Sequence, residues 1–148
     1  MPERETIERA REDSNEGKSP STQAGEFVRE EIHHVREGKH GARSPQQAIA
    51  IGLSKARRAG VTLNAPNAPK GPASIRKKAK QDIEAGERPR HRPARKRSRA
   101  TSGALKRESK KSASRRAVSG QAKRSSAKRG KRARSAAAMK AARTRRAA

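Results

Sequence analysis

One phenylalanine is the entire aromatic inventory of this chain, and large apolar side chains are sparse from end to end. Folding must offset roughly 1–2 kcal/mol of backbone entropy per residue, mostly through apolar burial. A chain that is 29% hydrophobic and 36% charged has little material for that. Its 148 residues would suffice for a single ordinary domain. The composition instead predicts a chain that is mainly disordered around one small all-α module.

The charge is unevenly spread. Residues 1–69 contain 11 Lys+Arg against 10 Asp+Glu, a net +1; residues 70–148 contain 29 against 4, a net +25. Such segregation reads as a nearly neutral body carrying a basic arm whose natural partner is a polyanion. An anionic membrane surface fits less well, because the arm has no apolar face to insert, and no membrane association is expected. Without cysteine there is neither a disulfide nor a Cys-based zinc site. No apolar run approaches the ~20 residues that span a bilayer, and the charged opening around Glu3, Arg4 and Glu5 does not resemble a secretory signal. The expected location is cytoplasmic and nucleoid-associated.

Along the chain, residues 1–20 read as a disordered lead-in with Ile7 as their one large apolar residue. Ala24, Phe27, Val28, Ile32 and Val35 then recur at offsets of three and four, which places a helix at about 22–37, capped by Ser21 or Thr22 and stopped by Gly38. Ser44-Pro45-Gln46-Gln47 supplies an N-cap, a proline at the first helical position and a Gln that can bond back. The stripe Ala48, Ile49, Gly52, Leu53 and Ala56 carries that second helix to about 59, and Val61 and Leu63 are placed to fold back on its end. The short connection predicts a two-helix antiparallel hairpin within 21–63, with Gly52 permitting close approach. So small a core is marginal by itself, and a homodimer of hairpins is the expected remedy. Residues 64–73, with Pro66, Pro69 and Pro72, form a linker. Residues 74–148 read as a disordered basic tail with transient helices. Ile75 and Ile83 are too few to anchor one near 74–85, and a segment such as 136–148 can become helical on a polyanion.

The tail carries the functional signal. Its densest cations are Arg92, Arg95, Lys96, Arg97 and Arg99; Lys110, Lys111, Arg115 and Arg116; and Lys123, Arg124, Lys128, Arg129, Lys131, Arg132 and Arg134. Each cluster can lie along a phosphate backbone, and the absence of aromatic residues removes the stacking platforms on which base-reading modules rely. Duplex DNA is the favoured partner and RNA the alternative.

Elsewhere the residues suggest little chemistry. Lys55, Arg57 and Arg58 sit at a helix end, which suits the helix dipole better than a base-reading helix-turn-helix. His33, His34 and His40 raise a metal site, but adjacent helical histidines diverge by about 100° and no convergent set completes a shell, so they read as a solvated face. Glu30, Glu31 and Glu37 read as an acidic outer face. With no phosphate loop, nucleophile elbow or cysteine, the chain is not expected to be an enzyme or to need a cofactor.

The run Glu26-Phe27-Val28-Arg29-Glu30-Glu31-Ile32, then Arg36 to Gly41, then Ser44 to Gly60, resembles a bacterial family of short basic proteins built on a domain of unknown function. Its members share a helix ending in HGK-like residues and a QAIAIGLSEARRAG-like segment. The likeness spans about 22–63. Lys55 stands where an acid is common, and the turn is slightly longer than in the family. The resemblance implies the labels DNA-binding or plasmid-stabilising, and the tail looks like the Ala/Lys-rich arms of linker-histone-like bacterial proteins. The expected function is sequence-nonspecific nucleic-acid binding with a compacting role. The alternatives are an adaptor whose hairpin docks a protein while the tail localises it, and an RNA- or ribosome-associated stress protein.

Overall fold

Ser44 shows how locally written part of this fold is: its Oγ accepts the Gln47 backbone N–H at 3.2 Å, and Gln47 Oε1 reaches back to the Arg43 N–H at 2.6 Å. The computed structural model describes residues 2–66, 72–88 and 94–147. Their order is α1 (Arg4–Asn15), α2 (Pro20–Glu37), α3 (Pro45–Arg58), α4 (Ala73–Glu87), α5 (Arg95–Lys106), a 3-10 turn (Lys110–Ala113), α6 (Arg115–Lys128) and α7 (Lys131–Ala147), with no strand among the described residues. They form two units, Met1–Ala113 and Ser114–Ala148.

The expectation of a mainly disordered chain built on a two-helix hairpin is therefore overturned. α2 and α3 do pack together, and a Cβ on Gly52 would come within 2.7 Å of Val28 Cα, so the missing side chain sets their separation. They are not alone. Arg4 and Arg9 pair with Glu8 and Glu5 one turn away and hold α1 helical, and Ile7 and Ala10 pack against Ala24, Phe27 and Ala56. Val61 and Leu63 fold back on the same cluster. This covers the apolar face that was expected to seek a second copy.

A second cluster joins Val35, Ala42, Ala48 and Ala113, with Ile32 beside it. Gly38, at φ 82°, stops α2 and starts the turn. The Gly41 and Ala42 N–H groups then donate to the carbonyls of Leu105 and Ser109, and Arg36 Nε donates to the Ala113 carbonyl at 2.7 Å. Residues beyond 88 thus contribute to a core that their composition did not announce. Much of the buried apolar material is alanine, which adds area without looking like a core in a hydropathy pattern.

α4 docks on α3 through Ala79 and Asp82 rather than through its isoleucines; Ile75 stays 53% exposed. In the second unit, α6 buries no residue, and the described side chains of α7 are all at least partly exposed. These helices rest on the intrinsic preference of Ala, Arg and Lys and on Ser114, whose Oγ accepts the Ala117 N–H. Of the segment 136–148, expected to become helical on a polyanion, residues 136–147 lie in a helix that begins at Lys131.

Candidate nucleic-acid interface

Of the sixteen cations expected to meet phosphate, Arg92 lies outside the described residues, and the other fifteen are all exposed. Arg95, Lys96, Arg97 and Arg99 are on α5. Lys110 and Lys111 are on the 3-10 turn. Arg115, Arg116, Lys123, Arg124 and Lys128 are on α6, Arg129 caps it, and Lys131, Arg132 and Arg134 open α7. Adding Lys140, Arg143, Arg145 and Arg146, the unit Ser114–Ala148 holds thirteen Lys and Arg and no Asp or Glu. No acidic side chain of that unit can neutralise them.

At about 100° per helical residue, Arg115 and Arg124 project to opposite sides of α6, as do Lys131 and Lys140 on α7. The cations surround these helices instead of forming one stripe. That distribution suits contact with phosphates approached from any side. It does not suit insertion of one face into a groove in a fixed register.

Three cations of α3 and α4, Lys55, Arg58 and Lys78, are instead committed internally. Arg58 Nε and Nη2 lie 2.8 Å from Asp82 Oδ1, Lys78 Nζ lies 3.2 Å from the same oxygen, and Ser54 Oγ donates to Asp82 Oδ2 at 2.7 Å. Burial pushes the Asp82 carboxyl up, but these hydrogen bonds outweigh it and hold it below the ordinary value. Lys55 Nζ sits 2.8 Å from Glu30 Oε1 and 2.7 Å from Glu31 Oε2. Burial opposes its charge, yet the two carboxylates more than compensate and hold it above the usual lysine range. Lys55 and Arg58 therefore secure α3 to its neighbours, beyond complementing its dipole.

The acidic outer face expected of Glu30, Glu31 and Glu37 holds for Glu37 alone. Glu30 and Glu31 are buried, Glu31 completely. The solvated-face reading of the histidines likewise holds for His33 but not for His34, which is 9% exposed, or His40, whose ring is largely covered. α1 and the 38–43 turn close over this side of α2. The Glu3 N–H donates to Glu30 Oε2 at 2.9 Å, while Glu3 Oε1 accepts from His34 Nε2 at 2.8 Å and Lys39 Nζ at 2.9 Å. Those two partners, His34 first, bring the Glu3 carboxyl down to about 2. Adjacent ring positions do diverge, as the sequence implies. It is the return of the chain after Gly38 that brings His40 to Glu31, a juxtaposition with no signature in helical spacing.

No helix among the described residues is long and apolar enough to cross a membrane. No protein-family model, curated protein or solved structure matches the chain, so the resemblance over 22–63 rests on its residues alone.

Proposed function

We propose that this protein binds nucleic acid along its phosphate backbone, without reading base sequence, through the exposed Arg and Lys side chains of α5, the 3-10 turn, α6 and α7. Duplex DNA is the favoured target, and a nucleoid-associated compacting role follows from it. The observation that carries the reading is the Ser114–Ala148 unit: thirteen cations, no acidic side chain, and every one of those cations exposed. Arginine supplies nine of the thirteen and donates to phosphate oxygens in bidentate fashion. The absence of aromatic side chains from this unit leaves no platform on which bases could stack.

The test is a retardation assay with two unrelated duplexes of equal length, and structured RNA as competitor at equal phosphate concentration. The full chain binds both duplexes with the same affinity. Replacing Arg115, Arg116, Lys123 and Arg124 by alanine weakens binding to both equally, by more than about tenfold, as expected when several backbone contacts are lost. Strong preference for one duplex, or unchanged affinity in that variant, contradicts the proposal. Preferential capture by the RNA transfers it to an RNA target.

A further inference from the structure

The buried polar side of α2 contains a group that its surroundings leave incompletely paired. Neither carboxylate oxygen of Glu31 has a hydrogen-bond donor among the described residues, although Glu31 is fully buried. Lys55 Nζ at 2.7 Å from Oε2 and His40 Nε2 at 3.2 Å from Oε1 are at ion-pair distance, but neither is aligned as a hydrogen bond. Glu30 and Glu31 bring two negative charges to this interior and Lys55 one positive charge, so one negative charge calls for a second cation near Oε1.

The outer contacts of both histidines determine which ring nitrogen keeps its lone pair. His40 Nδ1 is 3.0 Å from the Gly41 carbonyl oxygen. A carbonyl can only accept, so Nδ1 carries a proton and Nε2 is turned toward Glu31. His34 Nε2 is 2.8 Å from the ionised Glu3 carboxylate and donates to it, which leaves the lone pair on Nδ1, 3.8 Å from Glu30 Oε1. A carbonyl or carboxylate behind each ring, fixing its tautomer, is the arrangement that supports imidazole as a metal ligand. One ligand atom from each of Glu31, His34 and His40 lies within 4.8 Å of the others. The 3.2 Å between His40 Nε2 and Glu31 Oε1 is close to the ~3.3 Å edge of a tetrahedral shell with bonds of about 2.0–2.1 Å. A cleft lined by Glu3, Thr6, Glu30, His34 and Lys39 brings solvent to the His34 side of this cluster.

We propose that Glu31 Oε1, His34 Nδ1 and His40 Nε2 form a three-ligand site for a divalent transition-metal ion of the Zn2+ type, with solvent completing the shell and Lys55 remaining on Oε2. Mixed imidazole and carboxylate donors suit Zn2+ and Co2+ better than Mg2+ or Ca2+. Because His40 belongs to the turn on which Leu105 and Ser109 dock, the ion would tie that turn to α2.

The experiment titrates the full chain, freed of nucleic acid, with Zn2+ by calorimetry and with Co2+ by visible absorption. Expected are one saturable Zn2+ per chain, undisturbed by excess Mg2+, and the intense visible bands of tetrahedral Co2+. His34→Ala or His40→Ala weakens binding by more than about tenfold, and Glu3→Gln, which removes the carboxylate behind His34, weakens it by roughly tenfold. His33→Ala, on the exposed side of the same helix, leaves it unchanged. Absence of saturable binding, a purely octahedral Co2+ spectrum, or equal losses from His33→Ala and His40→Ala overturns the proposal. The Co2+ spectrum of the unaltered chain decides the matter if the alanine variants do not fold.

Discussion

Individual side chains in the first unit set its stability in ways that can be measured one at a time. Gly52 stands where α2 and α3 approach most closely, and a methyl group there meets Val28 backbone at 2.7 Å. Gly52→Ala should destabilise the unit by about 1–3 kcal/mol through overpacking, despite alanine's better helix propensity. A shifted denaturant midpoint read by far-UV circular dichroism checks this. Asp82→Ala removes the acceptor shared by Ser54, Arg58 and Lys78. Because Arg58 and Lys78 are more than half exposed and recover solvation, the expected loss is about 1–2 kcal/mol and not the larger cost of stranding a buried charge. Acid should unfold the unit through the same class of group. Glu3, Glu30 and Asp82 all have carboxyls held below their ordinary values. Folded carboxyls that resist protonation give stability that is full above the unfolded value and lost as pH falls through the folded one. For Glu3 that window runs from 4.5 to about 2. The melting temperature should therefore hold near neutrality and fall steadily across this window; a melting temperature that rose on acidification would contradict the pairing.

At the scale of elements, what the sequence reveals depends on how each helix is held. α3 is legible because its signals are local: the Ser44 cap, Pro45, and cations in the last turn. α2 is legible from the spacing of Phe27, Val28, Ile32 and Val35. α1 and α4 are not, since each is anchored by small or polar side chains: Ala10 and the buried Thr6 in one, Ala79 and Asp82 in the other. A buried aspartate looks like a surface aspartate in a hydropathy pattern until its partners, Ser54 and Arg58, are known to be adjacent. The cationic candidates were visible from composition alone, whereas the Glu31, His34 and His40 juxtaposition depends on a turn and was not. This difference also predicts unequal responses to substitution. Ala79→Asp should detach α4 from α3 and lower the cooperativity of unfolding, whereas Ala138→Asp on exposed α7 should leave the melt of the first unit unchanged.

On the scale of the whole molecule, stability is assigned to one stretch of chain, whereas charge is divided between both. Apolar burial and all fourteen acids lie in Met1–Ala113, where 27 Lys and Arg leave a net +13; Ser114–Ala148 carries an equal +13 with no acid of its own. A chain ending at Ala113 should keep the melting behaviour of the first unit and bind polyanions more weakly, through the cations of α5 and the 3-10 turn that it retains, a pairing of outcomes that neither a merely solubilising tail nor a single cooperative domain would give. The most direct measurement is the affinity of the full chain for random-sequence duplex DNA as a function of salt. If about eight phosphates are neutralised, log affinity falls against log salt with a slope near −7, by roughly −0.9 per contact. Affinity that holds to about 0.5 M salt, with a slope near zero, would contradict an interaction governed by the phosphate backbone.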